Sequence, residues 1–379
     1  MSIYLGGYER GESLEKFIDR EIRPPNDFKD RVNQTVDQLV RYLHRMPGYS
    51  IQEVVKSGSL GKGTSILSDA DADMVVFFNG YKNIESLIKD KPQIIRDVRQ
   101  YMCNPKQGWL SWIFQSKPEW MDSIHVLKYN EYFIKFMVYV QYKGRSESVE
   151  VDVLPALDVV AKHGGNMQSV YREMQNKSSH VREHYSVCFC KKQLAMIRPK
   201  PAKVKDLIRL LKYWKRTNGL DMTSYCCEVM GLYIFDTYLN SKTNFDMKTG
   251  FYTAMELFSS YRQLQITIPG IYNTDNTWFS FFFKTTYILD PVNPFSDTSS
   301  HDVYCIERCA KATLNWLDDV PSQGYGLLFK IEVVAAATVF TLLLGFSAAK
   351  ETVLFKILQQ IIINRCIQFP HYVLNIHVI

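Results

Sequence analysis

The chain lacks spaced cysteine pairs. Its eight cysteines stand at 103, 188, 190, 226, 227, 305, 309 and 366, and none forms the paired C-x-x-C pattern of a zinc site. Cys226 and Cys227 are adjacent and poorly placed to bridge each other, so reduced thiols are expected rather than a disulfide scaffold. A GxxxxGK[ST] phosphate loop is also missing, as is any internal repeat. The opening MSIYLGGYERGE has no apolar core, so no signal peptide is expected. Charge bias is weak: 45 Lys and Arg against 39 Asp and Glu leave +6, which permits a polyanionic partner without pointing to one. What is present is an ordinary globular mixture, 46% hydrophobic and 22% charged, which excludes disorder and collagen. At 379 residues it suggests two lobes.

The periodicity changes along the chain. Residues 14–43 read as helix, interrupted at Arg23-Pro24-Pro25 and resumed behind Asn26 as a cap. Phe28, Val32, Val36, Leu39, Val40 and Leu43 then fall at helical spacing. Residues 52–56 are short and β-like, 57–68 form a loop rich in Gly, Ser and Thr, and Met74–Phe78 is a buried strand. Residues 132–142 and 148–154 form a hairpin around Lys143-Gly144-Arg145. From Lys203 the apolar spacing is helical again, with Val204, Leu207, Ile208 and Leu211 on one stripe. Further helices are expected over 225–239 and 301–317.

Three segments carry chemistry when taken together. Gly58-Ser59-Leu60-Gly61-Lys62-Gly63-Thr64 is a flexible loop with a hydroxyl and an ammonium. Asp69-Ala70-Asp71-Ala72-Asp73 leads directly into the apolar strand, where Asp71 and Asp73 point to one side, joined by Asp69 if the strand starts early. Val149-Glu150-Val151-Asp152-Val153-Leu154 puts Glu150 and Asp152 on one face of another strand. Each has a plainer reading alone: a turn, a solvated acidic turn, a polar strand face. Neighbouring carboxylates repel unless a cation lies between them, and oxygen-rich sets suit Mg²⁺. Three carboxylates can hold two metals roughly 3.5–4 Å apart, as nucleotidyl transfer requires.

Gly58-Ser59, then Asp71-x-Asp73, then a distant strand Asp152, resembles the polymerase-β type of nucleotidyltransferase. The wording of residues 57–64, 71–77 and 149–156 closely resembles the 2′-5′-oligoadenylate synthetase family. So do Leu207–Trp214, Tyr225-Cys226-Cys227-Glu228 and Ile288-Leu289-Asp290-Pro291, in order, from about residue 10 to 320. The resemblance implies an α+β, bilobal polymerase-β-like nucleotidyltransferase fold. A mixed-sheet catalytic lobe would span 1–155 and a helical lobe 156–325, leaving a hydrophobic tail at 326–379. It implies synthesis of 2′-5′-linked oligoadenylates from ATP with release of pyrophosphate, in innate antiviral signalling in the cytoplasm. By that resemblance Asp71, Asp73 and Asp152 bind two Mg²⁺, and Asp152 draws the proton from the attacking 2′-hydroxyl. Gly58 and Ser59 hold the triphosphate, Arg209 and Lys212 contact phosphates, and Tyr225 packs on adenine. Ser224 departs from the family's usual Gln, which bears on base selectivity. Two alternatives stand: a cyclic dinucleotide synthase like the cyclic GMP-AMP synthase-like receptors, and a catalytically silent RNA-binding sensor. The intact carboxylate set speaks against the second.

Lys205, Arg209, Lys212 and Arg216 make a basic stripe at helical spacing. Between Lys191 and Arg216 ten basic residues face one acid, Asp206. Like charges at i, i+4 cost stability, so the stripe invites a polyanion. The family is activated by double-stranded RNA, bound by shape and phosphate contacts. The RNA-facing positions that match are Lys56 and Arg198, and Lys200 and Lys203 lie beside them. Leu194 and His44 stand where the family tends to be basic. Cys226 and Cys227 read as core, residues 278–283 as a buried aromatic strand or helix, and Asp290 as a structural cap. Residues 333–349 carry no charge over seventeen positions, the short edge of a membrane span. Three readings stand for this tail: a membrane anchor or contact, a buried terminal helix, or a variant terminus.

Overall fold

Proline sets the first boundary. Helix α1 (Leu14–Phe17) starts at Ser13, whose hydroxyl accepts from the Lys16 amide, and runs into a π-helical turn, Ile18–Ile22. Pro24 and Pro25 end it, because proline disfavours helix at the residue before it. Helix α2 (Asn26–Leu43) follows at once, with Pro25 in the cap position and Asn26 as its first helical residue. Phe28, Val32, Val36, Leu39 and Leu43 are buried along its inner face.

The computed structural model describes residues 5–67, 71–103, 120, 123–268 and 285–321. Strands β1 (Ile51–Ser57), β2 (Asp71–Phe78), β3 (His125–Tyr129), β4 (Ile134–Tyr142) and β5 (Arg145–Ala156) form one sheet in the order β1-β2-β5-β4-β3. Among the described residues of this sheet, only β2 and β5 pair in parallel. Interior position explains why Met74–Phe78 of β2 is buried throughout. The expected hairpin is β4–β5, turning through Lys143 and Gly144, both with positive φ (49° and 74°), as two-residue hairpin turns demand. Helix α3 (Gly58–Lys62) follows β1 where a loop was expected, and α4 (Ile84–Cys103) follows β2. A first core gathers α2, α4 and this sheet.

Short helices α5 (Val159–Lys162), α6 (Met167–Gln175), α7 (Ser179–Glu183), α8 (Tyr185–Cys188) and α9 (Cys190–Ile197) come next. Then follow α10 (Ala202–Thr217), α11 (Ser224–Thr237), α12 (Met247–Ser259) and α13 (Val303–Leu317), with a small sheet β6 (Gln265–Ile266), β7 (Tyr287–Asp290) and β8 (Asn293–Asp297) that periodicity did not announce. Helices α10–α13 build a second core, which Leu5, Leu14, Phe17, Ile18 and Ile22 from the chain's start also enter, whereas α5–α8 pack on the first core. Met1–Gln323 forms one compact unit, whereas Gly324–Ile379 lies outside the described residues, as do Asp69 and residues 278–283. Among the described residues no helix is long and apolar enough to cross a membrane.

Candidate active site

Register builds the site. Asp73 on β2 lies opposite Ser57 on β1 and Asp152 on β5, and Asp152 lies opposite Lys135 on β4. Directly paired residues share a sheet face, so Ser57, Asp73, Asp152 and Lys135 form one row across four strands. One step along, Asp71 pairs with Glu150. The two segments expected to supply carboxylates therefore lie side by side, on the parallel pair of strands.

Electrostatics follow from that crowding. Burial, then the neighbouring Asp71 and Asp152, push the Asp73 carboxyl up to about 7. Burial also lifts Asp152 to about 6, against the pull of Lys135 and with a further push from Asp71 and Glu150. Asp71 accepts the Ser59 hydroxyl. Asp152 Oδ1 is buried and ion-paired with Lys135 Nζ at 3.5 Å, with no closer hydrogen-bond partner among the described residues. Among the described residues no three acidic, His or Cys side chains yet enclose a metal, because Asp71 faces Ser59 and Asp152 faces Lys135. The donor chemistry nonetheless fits a hard cation: crowded carboxylates with raised proton affinity and a buried oxygen held only by a long ion pair.

The turn beside this row needs glycine. Gly58 has φ +61°, and a Cβ there would sit 2.5 Å from Asp73 Oδ2. A Cβ on Gly61 would sit 2.4 Å from the Lys56 carbonyl oxygen. The expected flexible loop is thus a tight helical turn, pressed against both β1 and the Asp73 carboxylate.

Behind it is a buried ionic clamp that the sequence reading missed. Glu228 on α11 accepts from Lys62 Nζ at 2.7 Å, Lys212 Nζ at 2.6 Å and Thr64 Oγ1 at 2.8 Å. Burial would raise its carboxyl, yet Lys212 and Lys62 hold it down at about 2. The available signal was an acid, Glu228, directly after Cys226 and Cys227, both fully buried, in a mostly apolar stretch. Lys62 also stands 4.5 Å from the centroid of the Tyr225 ring. Tyr225 donates to Asp290, which also accepts from Gln193 and the Val292 amide, so Asp290 ties its own turn to α11 and α9.

The basic stripe divides. Arg209 is buried and donates to the Ser65 and Gly63 carbonyls and to Asp206, while Lys212 is buried on Glu228 and Thr64. These two residues therefore hold the segment after α3, with partners inside the chain. Lys56 pairs with Asp37 at 2.8 Å, Lys200 with Asp236 at 3.0 Å and Lys203 with Glu15 at 3.4 Å. Arg198 donates to the Gly61 carbonyl at 2.9 Å, which connects a residue of the expected RNA face to the glycine turn.

A mixed sheet bearing carboxylates on adjacent strands beside a glycine–serine turn, followed by a helical part, is the polymerase-β-like nucleotidyltransferase fold. The structure of CdnC from E. coli MS115-1 with ATP superposes with a TM-score of 0.50 at 18% identity, over 82% of this chain and 92% of that one. The sequence narrows the likeness to the 2′-5′-oligoadenylate synthetases. Residues 165–325 match the family model described as 2′-5′-oligoadenylate synthetase 1, domain 2, C-terminus. Human 2′-5′-oligoadenylate synthase 2 is 29% identical over 333 residues, covering 81% of this chain and 44% of that protein. Rat 2′-5′-oligoadenylate synthase 1A is 25% identical over 327 residues, covering 80% and 88%. The chain spans less than half the length of the synthase 2 relatives it matches.

Proposed function

We propose that this chain is a template-independent nucleotidyltransferase that joins ATP through 2′-5′ bonds, releases pyrophosphate and responds to double-stranded RNA. The observation that carries the reading is the Asp71–Asp73 strand paired in register with the Asp152 strand beside Gly58 and Ser59, in a chain whose relatives are oligoadenylate synthases.

Each residue then has a task. Asp71, Asp73 and Asp152 would hold two Mg²⁺, which when bound supply charge stabilisation to the attacking and leaving oxygens. Asp152, with its raised proton affinity, takes the proton of the attacking 2′-hydroxyl. Gly58 and Ser59 bind the triphosphate through backbone N–H groups and the hydroxyl. Tyr225 forms the wall for the base. Arg209 and Lys212 were expected on the phosphates; with the partners described they serve by fixing the turn that carries Ser59. Lys56, Arg198, Lys200 and Lys203 offer a phosphate-binding face to RNA. RNA bound there acts on Gly61 through Arg198 and aligns the carboxylates. The free thiols suit a reducing, cytoplasmic setting.

Product analysis of the full chain with Mg²⁺ and all four nucleoside triphosphates, with and without long double-stranded RNA, tests this. Linear 2′-5′ adenylates that depend on RNA are expected. A cyclic dinucleotide would keep the site and overturn the linkage, and no product under either condition would favour the silent sensor.

A further inference from the structure

We propose that Lys135 is a resident counter-cation of the carboxylate row, one that competes with the catalytic metal for Asp152 and is drawn aside by Glu150. The proposal rests on the metal-site reading above. Lys135 is the next residue in the row after Asp152, so backbone register alone sends its side chain to the carboxylate face. Its ammonium is 2.5 Å from Glu150 Oε2 and 3.5 Å from Asp152 Oδ1, with the side chain 17% exposed. The cation therefore hydrogen-bonds Glu150 and makes a longer ion pair with Asp152, whose buried Oδ1 has no closer partner among the described residues.

This arrangement answers a problem set by the row itself. Asp71, Asp73, Glu150 and Asp152 crowd one face, and without a cation their repulsion would burden the fold. Lys135 neutralises part of it inside the chain. A divalent ion on Asp152 then approaches an ammonium of the same sign in a poorly hydrated place, where charges interact strongly. Glu150 gives that ammonium somewhere else to rest. An ordinary cross-strand ion pair would stabilise the sheet and leave metal affinity unchanged, and that separates the two roles.

Mn²⁺ binding to the nucleotide-free full chain, followed by electron paramagnetic resonance of free Mn²⁺ at pH 8, tests the proposal on wild type, Lys135→Met, Glu150→Gln and Asp73→Asn. Lys135→Met is expected to bind Mn²⁺ roughly tenfold more tightly, and Glu150→Gln more weakly, because the lysine then settles wholly on Asp152. Glu150→Gln keeps the question open to refutation if Lys135→Met fails to fold. Wild-type binding that Asp73→Asn abolishes, with Lys135→Met and Glu150→Gln unchanged, would overturn the role of Lys135 alone. Wild type that binds no Mn²⁺ would remove the metal-site reading and this proposal with it.

Discussion

Lys62 and Glu228 stand 166 residues apart in the chain and meet at 2.7 Å, with side chains only 6% and 3% exposed. A second ammonium, Lys212, shares the same carboxylate. Removing one member of a buried ionic set leaves the others charged and unpaired. Glu228→Gln is therefore expected to cost about 3–5 kcal/mol, read as the shift of a urea unfolding curve. Replacing Lys62, Lys212 and Glu228 together by apolar residues should recover much of that loss. A loss below about 1 kcal/mol for Glu228→Gln would show that the clamp is not a unit.

Catalysis should vanish with the carboxylates. Asp71→Asn and Asp73→Asn are each expected to lower product formation at least about a thousandfold, while RNA binding in a filter assay stays at the wild-type level. Substantial residual synthesis would sink their assignment.

Gly58 tests the turn separately from the metal. In Gly58→Ala the new Cβ meets Asp73 Oδ2 at 2.5 Å on a backbone with φ +61°, so either the turn or the carboxylate must move. Displacements of this size cost roughly a hundredfold in rate. Steady-state kinetics should show the loss in kcat, with circular dichroism close to wild type. An unimpaired kcat would mean that the turn is not part of the site.

The RNA face has a salt signature. Each phosphate contact releases counterions, so Lys200→Glu and Lys203→Glu should each weaken RNA binding and flatten its dependence on salt by about one unit of log–log slope. Arg198→Ala should do the same and lower RNA-stimulated synthesis as well, because Arg198 also holds the Gly61 carbonyl. Slopes that match wild type would place RNA elsewhere on the molecule.

Acid sensitivity has a different source. Buried His184 accepts from Lys91 at 3.0 Å through Nδ1, so its proton sits on Nε2, which has no partner among the described residues. Its surroundings are Lys91, His180 and the stacked Tyr132 ring, with Cys188 and Glu131 near Lys91. Burial, then the Lys91 and His180 charges, hold His184 down at about 4, against an ordinary 6.5. Between those values the unfolded chain binds the proton that the folded chain refuses, so stability falls as pH drops from 6.5 to 4. The fall should be roughly 1–3 kcal/mol in urea melts across that range, and His184→Gln should flatten it. An equally steep fall in the variant would assign the acid limb to other groups.

Much of this was legible in local patterning. Helical spacing located α2 and α10, the apolar run located β2, and Lys143-Gly144 located the hairpin, because in each case nearby residues decide the structure. The carboxylate row was legible for the same reason, since strand alternation alone puts Asp71 and Asp73 on one side. What escaped depends on partners distant in the chain. A stripe of Arg209 and Lys212 reads as phosphate-binding until Glu228 and the Gly63 and Ser65 carbonyls are brought against it. The five-residue helix α3 escaped because glycines at 58 and 61 lower local helix propensity, while close packing against β1 and Asp73 selects the turn.

The parallel pairing of β2 with β5 also bears on how the chain is made. During synthesis β2 emerges long before β5, and until β5 arrives its hydrogen-bonding edge is open while Met74–Phe78 awaits cover. An apolar strand with a free edge is a template for unwanted pairing between chains. Non-local pairing of this kind also forms slowly. The strand that carries the chemistry is therefore an aggregation hazard for the nascent protein, and the charges at its start, Asp71 and Asp73, oppose such pairing before the site exists.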